Sequence, residues 1–331
     1  MKKCRKKSKR GLINFTGGKC LRSKGEEGRQ AHAAEAACRR DGCFVKKTVT
    51  MILEVEHQLI YRYSGWVHLN PHYFYLTPNL TPFQRLHSYD LRVLPPAGKL
   101  IRNIDQEGNI QHVCFVNAET RVFEVSTRFV LESDDFNTYD FIFFPFETAK
   151  LPFRYPEKLA RYTDIYFSLN PMSAEVQALS NRLAEEAGFD TLDFLSAVIT
   201  YISTKMRYIP RERGEAAPAE ETLRVGCGSC RDFSVVMMAL CKAQGLVVRF
   251  VSGYLFGSDR HEHDLHAWVE VFLPGGGWRG FDPTEGQSVN RNYITLANSL
   301  EPSGVSPVRG SFRGEPGVAS ALETHVSIRK R

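Results

Sequence analysis

The chain has 331 residues, of which 43% are apolar, 11% aromatic and 24% charged, as is typical of a globular protein long enough for about two domains. No run of about 18 uncharged apolar residues occurs, which excludes a membrane-spanning helix. The formal net charge of +6 is unevenly distributed, because residues 1–47 carry 15 Lys and Arg against 4 Asp and Glu. We therefore expect the mildly acidic remainder to bind neither nucleic acid nor membranes.

The basic segment 1–47 has the composition of a disordered tail, with no hydrophobic periodicity. The first strand pattern begins at Met51, so we expect that native translation starts there. The N-terminus also lacks the apolar stretch and cleavage site of a signal peptide. Of the eight cysteines, four lie in this tail and the others follow no regular spacing, which favours a reducing compartment. We predict a cytoplasmic protein.

Residues 48–160 are predicted to form an N-terminal β domain. From Val49 to Glu132, short segments of alternating apolar and polar residues are separated by turn signals. The clearest turns are Pro95–Gly98 and Asp105–Asn109, which are rich in residues that favour tight turns. Antiparallel pairing of such strands predicts a sandwich-like domain.

Residues 161–290 are predicted to form a second domain, which begins with helices. Val176, Leu179 and Leu183 share one helical face, and a second apolar stripe follows from about Asp190. A third helix is predicted over Cys230–Ala243, with Gly245 as its C-terminal stop.

Three strand patterns follow the third helix, at Val247–Leu255, Leu265–Leu273 and Trp278–Asp282. Residues 291–331 are rich in Gly, Ser and Pro and are predicted to be an extension with one strand, near His325–Ile328. The fold class is therefore α+β, with an antiparallel β-sandwich-like domain followed by helices packed on an antiparallel sheet.

Cys230 is the candidate nucleophile. Gly228 and Ser229 precede it, so a loop of small residues enters the third helix at the cysteine. The N-terminus of a helix carries about half a positive charge, which favours a thiolate. A nucleophilic thiol also needs a base and a group that orients the base.

His266 and Asp282 are the candidate base and orienting group. His266 lies in a strand whose apolar face is formed by its neighbours, so it projects from the opposite face together with Trp268 and Glu270. Asp282 ends the next strand, where its carboxylate can lie beside the imidazole of His266 and fix its tautomer.

These residues carry a resemblance to the bacterial transglutaminase-like cysteine protease family. Four motifs occur in the family's order, namely Gly228-Ser229-Cys230-Arg231-Asp232, Ser252-Gly253-Tyr254, His266-Ala267-Trp268 and Gly280-Phe281-Asp282-Pro283-Thr284. The upstream part is similar to the family's N-terminal β domain through His57, Tyr61, Tyr63 and the Asp105–Asn109 turn.

The resemblance implies a papain- and transglutaminase-like cysteine proteinase core. Cys230 then matches the nucleophile, His266 the general base and acid, and Asp282 the orienting carboxylate. Arg224 stands where papain carries the glutamine of its oxyanion hole, so the backbone N–H of Cys230 is the one candidate oxyanion donor. The implied activity is acyl transfer from an amide of a peptide or protein substrate, without a cofactor or metal. Asp232 and Arg231 are interpreted as structural.

Two reactions remain open, because hydrolysis and transamidation share one thioester and differ in whether water or an amine accepts the acyl group. Hydrolysis is the first expectation and protein-glutamine transamidation the second. Trp268, Tyr254 and Trp278 could line the cleft, although aromatic residues packed on a strand face would give the same pattern.

Three other interpretations are compatible with some of these residues. Cys227 and Cys230 could form a redox pair, and His261 and His263 could complete a zinc site with them. The core could also be a binding scaffold without catalysis. The redox interpretation leaves the downstream His and Asp motifs unexplained. The zinc site is disfavoured because the segment Asp259–Asp264 has the composition of a solvated loop and supplies no second close-spaced cysteine pair. The scaffold does not account for an intact set of three catalytic residue types.

Overall fold

The computed structural model describes residues 50–167, 173–211, 214–258 and 265–331. The predicted tail, residues 1–47, lies outside the described residues, and so do His261 and His263 of the alternative zinc site. From Thr48 to Arg331 the chain forms one compact unit.

The first half of the described chain contains six strands followed by helices. The strands are β1 (Met51–Leu69), β2 (His72–Phe74), β3 (Gln84–Leu94), β4 (Lys99–Ile104), β5 (Ile110–Phe115) and β6 (Thr120–Ser133). The helices are α1 (Glu157–Thr163), α2 (Ala174–Glu186) and α3 (Thr191–Lys205), with 3-10 turns at Phe146–Ala149 and Asp164–Tyr166.

The second half carries the remaining elements. They are β7 (Arg207–Tyr208), α4 (Ala219–Val225), β8 (Cys227–Gly228), α5 (Cys230–Ala243), β9 (Val248–Leu255), β10 (His266–Leu273), β11 (Gly277–Asp282), β12 (Gln287–Ser288), β13 (Tyr293–Ser299), a 3-10 turn at Pro302–Val305, β14 (Val308–Arg309), β15 (Phe312–Gly314) and β16 (Ser320–Lys330).

The N-terminal strands form two antiparallel sheets. One has the order β15–β1–β6–β3, with β16 also paired to β1, and the other has the order β14–β2–β5–β4. Strand β1 forms as predicted because it buries alternate residues, among them Leu53, Val55 and Leu59, so that one face meets an apolar core. The predicted α+β class with an N-terminal antiparallel β region is confirmed.

Helix α5 covers the predicted residues, Cys230–Ala243. It packs against β9 and β10 of an antiparallel sheet with the order β12–β11–β10–β9–β13. Phe233, Val236 and Leu240 on the inner face of the helix are fully buried. The chain leaves the helix through Gly245, whose φ of +76° is one that glycine adopts without steric cost. The helix therefore has a fixed place above the sheet.

The strand predicted near His325–Ile328 is present as part of β16, but residues 291–331 contain three further strands, β13, β14 and β15. Strand β13 completes the sheet under α5, and β14, β15 and β16 join the two N-terminal sheets. Strand β16 pairs with β1 over eleven residues, from Leu53 opposite Lys330 to Tyr63 opposite Ser320. Backbone hydrogen bonds carry this pairing, so the pattern of apolar side chains in β1 does not indicate its partner.

The N-terminal strands are joined to the sheet under α5 by buried polar contacts. In the Asp105–Asn109 turn, the Asn109 side chain donates to the carbonyl of Asn298 over 2.8 Å and accepts from its N–H over 2.9 Å. His57 Nδ1 lies 2.8 Å from the hydroxyl of Tyr254. Buried polar groups of this kind fix the relative position of two packed layers, because each needs its partner.

In the part of the chain that the structure describes, none of the helices has the length and apolar character needed to cross a membrane.

Candidate active site

Cys230 is the first residue of α5 and is only 7% exposed. The turn before it is held by Asp232, whose Oδ2 accepts the backbone N–H of Ser229 over 2.7 Å and its hydroxyl over 2.8 Å. A Cβ on Gly228 would lie 2.8 Å from the Cβ of Asp232, so only glycine fits there. The small residues before the cysteine are therefore required by the way the helix begins.

Asp232 and Arg231 also bind the chain segment that follows β7. Oδ1 of Asp232 accepts from the Arg211 guanidinium over 2.6 Å and from the N–H of Ala217 over 2.8 Å. Arg231 donates to the carbonyl of Gly214 over 2.8 Å. These contacts support the structural interpretation of both residues, because every one of them is to the protein itself.

His266 and Asp282 lie together in the sheet. His266 is the first residue of β10 and Asp282 is the last residue of the neighbouring antiparallel strand β11. The distance from Nε2 of His266 to Oδ2 of Asp282 is 2.6 Å, and both side chains are fully buried. The predicted proximity of the imidazole and the carboxylate is therefore present.

Cys230 lies close enough to the same imidazole to influence its ionisation. Burial lowers the pKa of His266, but the Asp282 carboxylate and Cys230 act in the opposite direction more strongly, and the pKa rises from 6.5 to about 10. The ring therefore carries a proton at neutral pH, since a protonated imidazole is stabilised by negative neighbours.

Asp282 accepts four hydrogen bonds in a fully buried position. Its Oδ1 accepts the N–H groups of Thr284 at 2.8 Å and Glu285 at 3.1 Å. Its Oδ2 accepts from His266 and from the hydroxyl of Tyr293, the latter at 2.8 Å. Burial raises the pKa of Asp282, but the charge of His266 and these hydrogen bonds outweigh it and lower the pKa. The carboxylate is therefore ionised despite its burial.

Tyr293 is a residue of the site that the sequence does not reveal. It begins β13, in the segment that the sequence suggests is an extension. Its ring lies edge-on to Trp268, with centroids 5.2 Å apart. The apolar residues of Tyr293–Leu296 could have indicated a strand in the sequence, but they do not show that this strand pairs with β9.

The three aromatic residues considered for the cleft are packed against other parts of the protein. Trp268 is fully buried beside His266, with ring centroids 6.0 Å apart. Tyr254 is fully buried against the N-terminal strands through His57. Trp278 is half-buried and packs under the Arg249 guanidinium, 4.1 Å from its ring centroid. The structure thus gives these residues packing roles, because their neighbours already cover their rings.

A cavity of about 200 Å³ adjoins the turn before the nucleophile. It is lined by Cys227, Gly228 and Ser229 together with Arg211 and Glu221. Cys227, which lines this cavity, and Cys230 are both free thiols. Among the described residues no group of three or more His, Cys, Asp or Glu side chains is placed to hold a metal ion.

Two family models match the chain. Residues 53–132 match the bacterial transglutaminase-like N-terminal region, and residues 177–283 match the core of the transglutaminase-like superfamily. The chain thus contains a transglutaminase-like core and a bacterial transglutaminase-like N-terminal region. The second match contains Cys230 and His266 and ends one residue after Asp282. The resemblance found in the sequence motifs is confirmed, whereas the predicted domain limits stay predictions.

Several known proteins are similar in sequence to this transglutaminase-like chain. An uncharacterised protein of Mycobacterium tuberculosis is 27% identical over 277 residues, which cover 77% of this chain and 86% of that protein. An uncharacterised protein of Mycobacterium leprae is 26% identical over 164 residues, and the chain spans 57% of its length. A protein-glutamine gamma-glutamyltransferase of Pseudomonas aeruginosa is 35% identical over 65 residues, which are 17% of this chain and 10% of that enzyme.

A candidate cysteine protease from Cytophaga hutchinsonii has a similar solved structure. The TM-score is 0.66 at 19% sequence identity, and the alignment covers 85% of this chain and 91% of that one. At this identity the similarity concerns the fold. Together with the two family-model matches, it confirms an N-terminal β region followed by a transglutaminase-like core.

The contacts of Asp232 predict that the start of α5 depends on its carboxylate. We expect Asp232→Ala to lower the free energy of unfolding by about 1–3 kcal/mol, because the N–H and the hydroxyl of the buried Ser229 lose their acceptor, whereas water can solvate the exposed Arg211. Urea denaturation followed by circular dichroism measures this. Asp193→Ala is the matched control, since Asp193 is an exposed acidic residue in the first turn of α3. An equal loss in both variants would contradict the assigned role.

Proposed function

We propose that the chain is a cysteine-nucleophile acyl-transfer enzyme that acts on amide bonds of a peptide or protein through a thioester. Cys230 is the nucleophile, His266 the general base and acid, and Asp282 the carboxylate that orients the imidazole. The observation that carries the proposal is that the buried imidazole of His266 binds the Asp282 carboxylate at 2.6 Å and lies close enough to Cys230 for the two groups to interact electrostatically. A thiol, a base beside it and an acid that orients the base are the parts that covalent catalysis by cysteine requires.

In the first step the sulfur of Cys230 attacks the carbonyl carbon of the amide, and the thiol proton resides on His266. The oxyanion that forms needs a hydrogen-bond donor. The backbone N–H of Cys230 is suited to this, because the first N–H groups of a helix have no partner within the helix. As the C–N bond breaks, His266 gives its proton to the leaving amine, and the acyl group remains on sulfur as a thioester.

In the second step an acceptor attacks the thioester carbon and gives its proton to His266, which returns it to the sulfur of Cys230. With water as the acceptor the product is a carboxylic acid, and with a primary amine it is a new amide. We propose hydrolysis as the principal reaction. Transamidation is the second candidate, supported by the local sequence similarity to a protein-glutamine gamma-glutamyltransferase.

We also propose that the enzyme works in a reducing, cytoplasmic environment. The support is chemical: the four cysteines in the described residues, Cys114, Cys227, Cys230 and Cys241, are free thiols, and a thioester mechanism requires Cys230 to be reduced.

Selective labelling tests the nucleophile. At neutral pH we expect iodoacetamide to modify Cys230 rapidly and to leave Cys241 unmodified, because Cys241 is fully buried and burial raises the pKa of its thiol. We expect His266→Ala to slow the modification of Cys230 by about 100-fold or more, in the range of a lost general base. Peptide mapping by mass spectrometry measures both rates.

Two results would argue against an acyl-transfer enzyme. Unchanged labelling in the His266→Ala variant would favour a binding scaffold. Rapid formation of a Cys227–Cys230 disulfide that is lost in Cys227→Ser, together with no acyl transfer by the unaltered protein, would favour the redox interpretation.

The acceptor can be identified from reaction products. Incubation with glutamine-containing peptides, with and without a primary amine, is followed by mass spectrometry. For hydrolysis we expect cleavage of the peptide, or a gain of about 1 Da where a side-chain amide is the substrate, since both reactions pass through the same thioester. Addition of the amine to the peptide would instead identify a transamidase. The Cys230→Ala variant is the control and should give none of these products.

A further inference from the structure

Tyr293 contacts the orienting carboxylate from a strand other than the one that carries the imidazole. It is 2% exposed, and its hydroxyl donates to Oδ2 of Asp282 over 2.8 Å. The same oxygen accepts Nε2 of His266 over 2.6 Å. One carboxylate oxygen is thus fixed between the ring that it orients and a second donor.

The hydroxyl of Tyr293 is held in the donating orientation. It accepts a hydrogen bond from Nε2 of Gln287 over 3.0 Å, so its single proton points to Asp282. Burial and the charge of Asp282 raise the pKa of Tyr293 far above its usual range, which keeps this proton in place. The ring itself is fixed by its edge-on contact with Trp268 at 5.2 Å.

We propose that Tyr293, oriented by Gln287, is a positioning residue for the acyl-transfer reaction, an inference that rests on the proposed roles of Cys230, His266 and Asp282. The backbone N–H groups of Thr284 and Glu285 hold the other carboxylate oxygen, Oδ1. Oδ2 of Asp282 has two donors, His266 and Tyr293. Loss of the tyrosine hydroxyl would leave it with His266 alone. The carboxylate would then be less firmly placed and more readily protonated.

The test is the pH dependence of Cys230 alkylation by iodoacetamide, which needs no substrate. In Tyr293→Phe we expect the acid limb of the rate profile to move to higher pH by roughly one unit, as for the loss of one hydrogen bond to a charged group. The direction follows because a donor to Asp282 lowers the pKa of that carboxyl. Its removal lets Asp282 become protonated, and His266 lose its orienting charge, at a higher pH.

Tyr155→Phe is the matched control. Tyr155 is also buried, and its hydroxyl also makes two hydrogen bonds, to the carbonyl of Phe272 and from the N–H of Val247, both at 2.9 Å. These partners lie away from Asp282, so we expect the acid limb of this variant to match that of the unaltered protein. Gln287→Ala removes an exposed side chain, so we expect this variant to fold. Its acid limb should move in the same direction as that of Tyr293→Phe, but by a smaller amount.

The outcomes separate the two levels of the proposal. If Cys230 is alkylated as fast in His266→Ala as in the unaltered protein, the acyl-transfer assignment fails and the role of Tyr293 fails with it. If the rate depends on His266 but neither Tyr293→Phe nor Gln287→Ala moves the acid limb, the inference about Tyr293 alone is overturned. An equal shift in Tyr155→Phe would also overturn it, because the effect would then come from packing.

Discussion

A negative charge buried away from solvent is the constraint on which the site depends. Asp282 lies in the interior of the protein, where an ionised carboxylate is stable only if its oxygens have donors. Two backbone N–H groups, one imidazole and one phenol provide them. The same charge keeps the pKa of His266 high, so that the imidazole beside Cys230 can hold the proton that the thiol releases.

The architecture assembles these donors from distant parts of the chain. The cysteine is at the start of α5, the histidine and the aspartate are in neighbouring strands, and Tyr293 comes from β13 at the edge of the same sheet. The helix start is held by Asp232, and the sheet is joined to the N-terminal strands through Asn109 and Tyr254. Each group therefore sits on a regular element, which gives a more exact geometry than a loop would.

Much of this can be predicted from local patterns. Helix α5 has the limits that the sequence predicts, because apolar periodicity and a glycine stop coincide there. His266 and Asp282 can be placed together because they occupy nearby ends of two strands joined by a short glycine-rich turn. The alternation of apolar and polar residues along β1 likewise identifies its buried face from the sequence alone.

The features that escape prediction depend on contacts between distant segments. Strand β16 pairs with β1 across more than 250 residues of sequence, and backbone pairing leaves no mark in side-chain composition. Tyr293 escapes prediction because its role depends on that kind of pairing, between β13 and β9. Trp268 and Tyr254 resemble cleft residues in the sequence because a strand pattern does not tell which face is covered by another layer.

The most direct test of the central claim is a crystal structure of the protein inactivated by a peptide-derived reagent that leaves a carbonyl group attached to the reacting cysteine. We expect the bond to form at Sγ of Cys230, with the carbonyl oxygen directed at the backbone N–H of that residue and the imidazole of His266 still bound to Asp282. An adduct at another residue, or an imidazole turned away from both the sulfur and the carboxylate, would contradict the account.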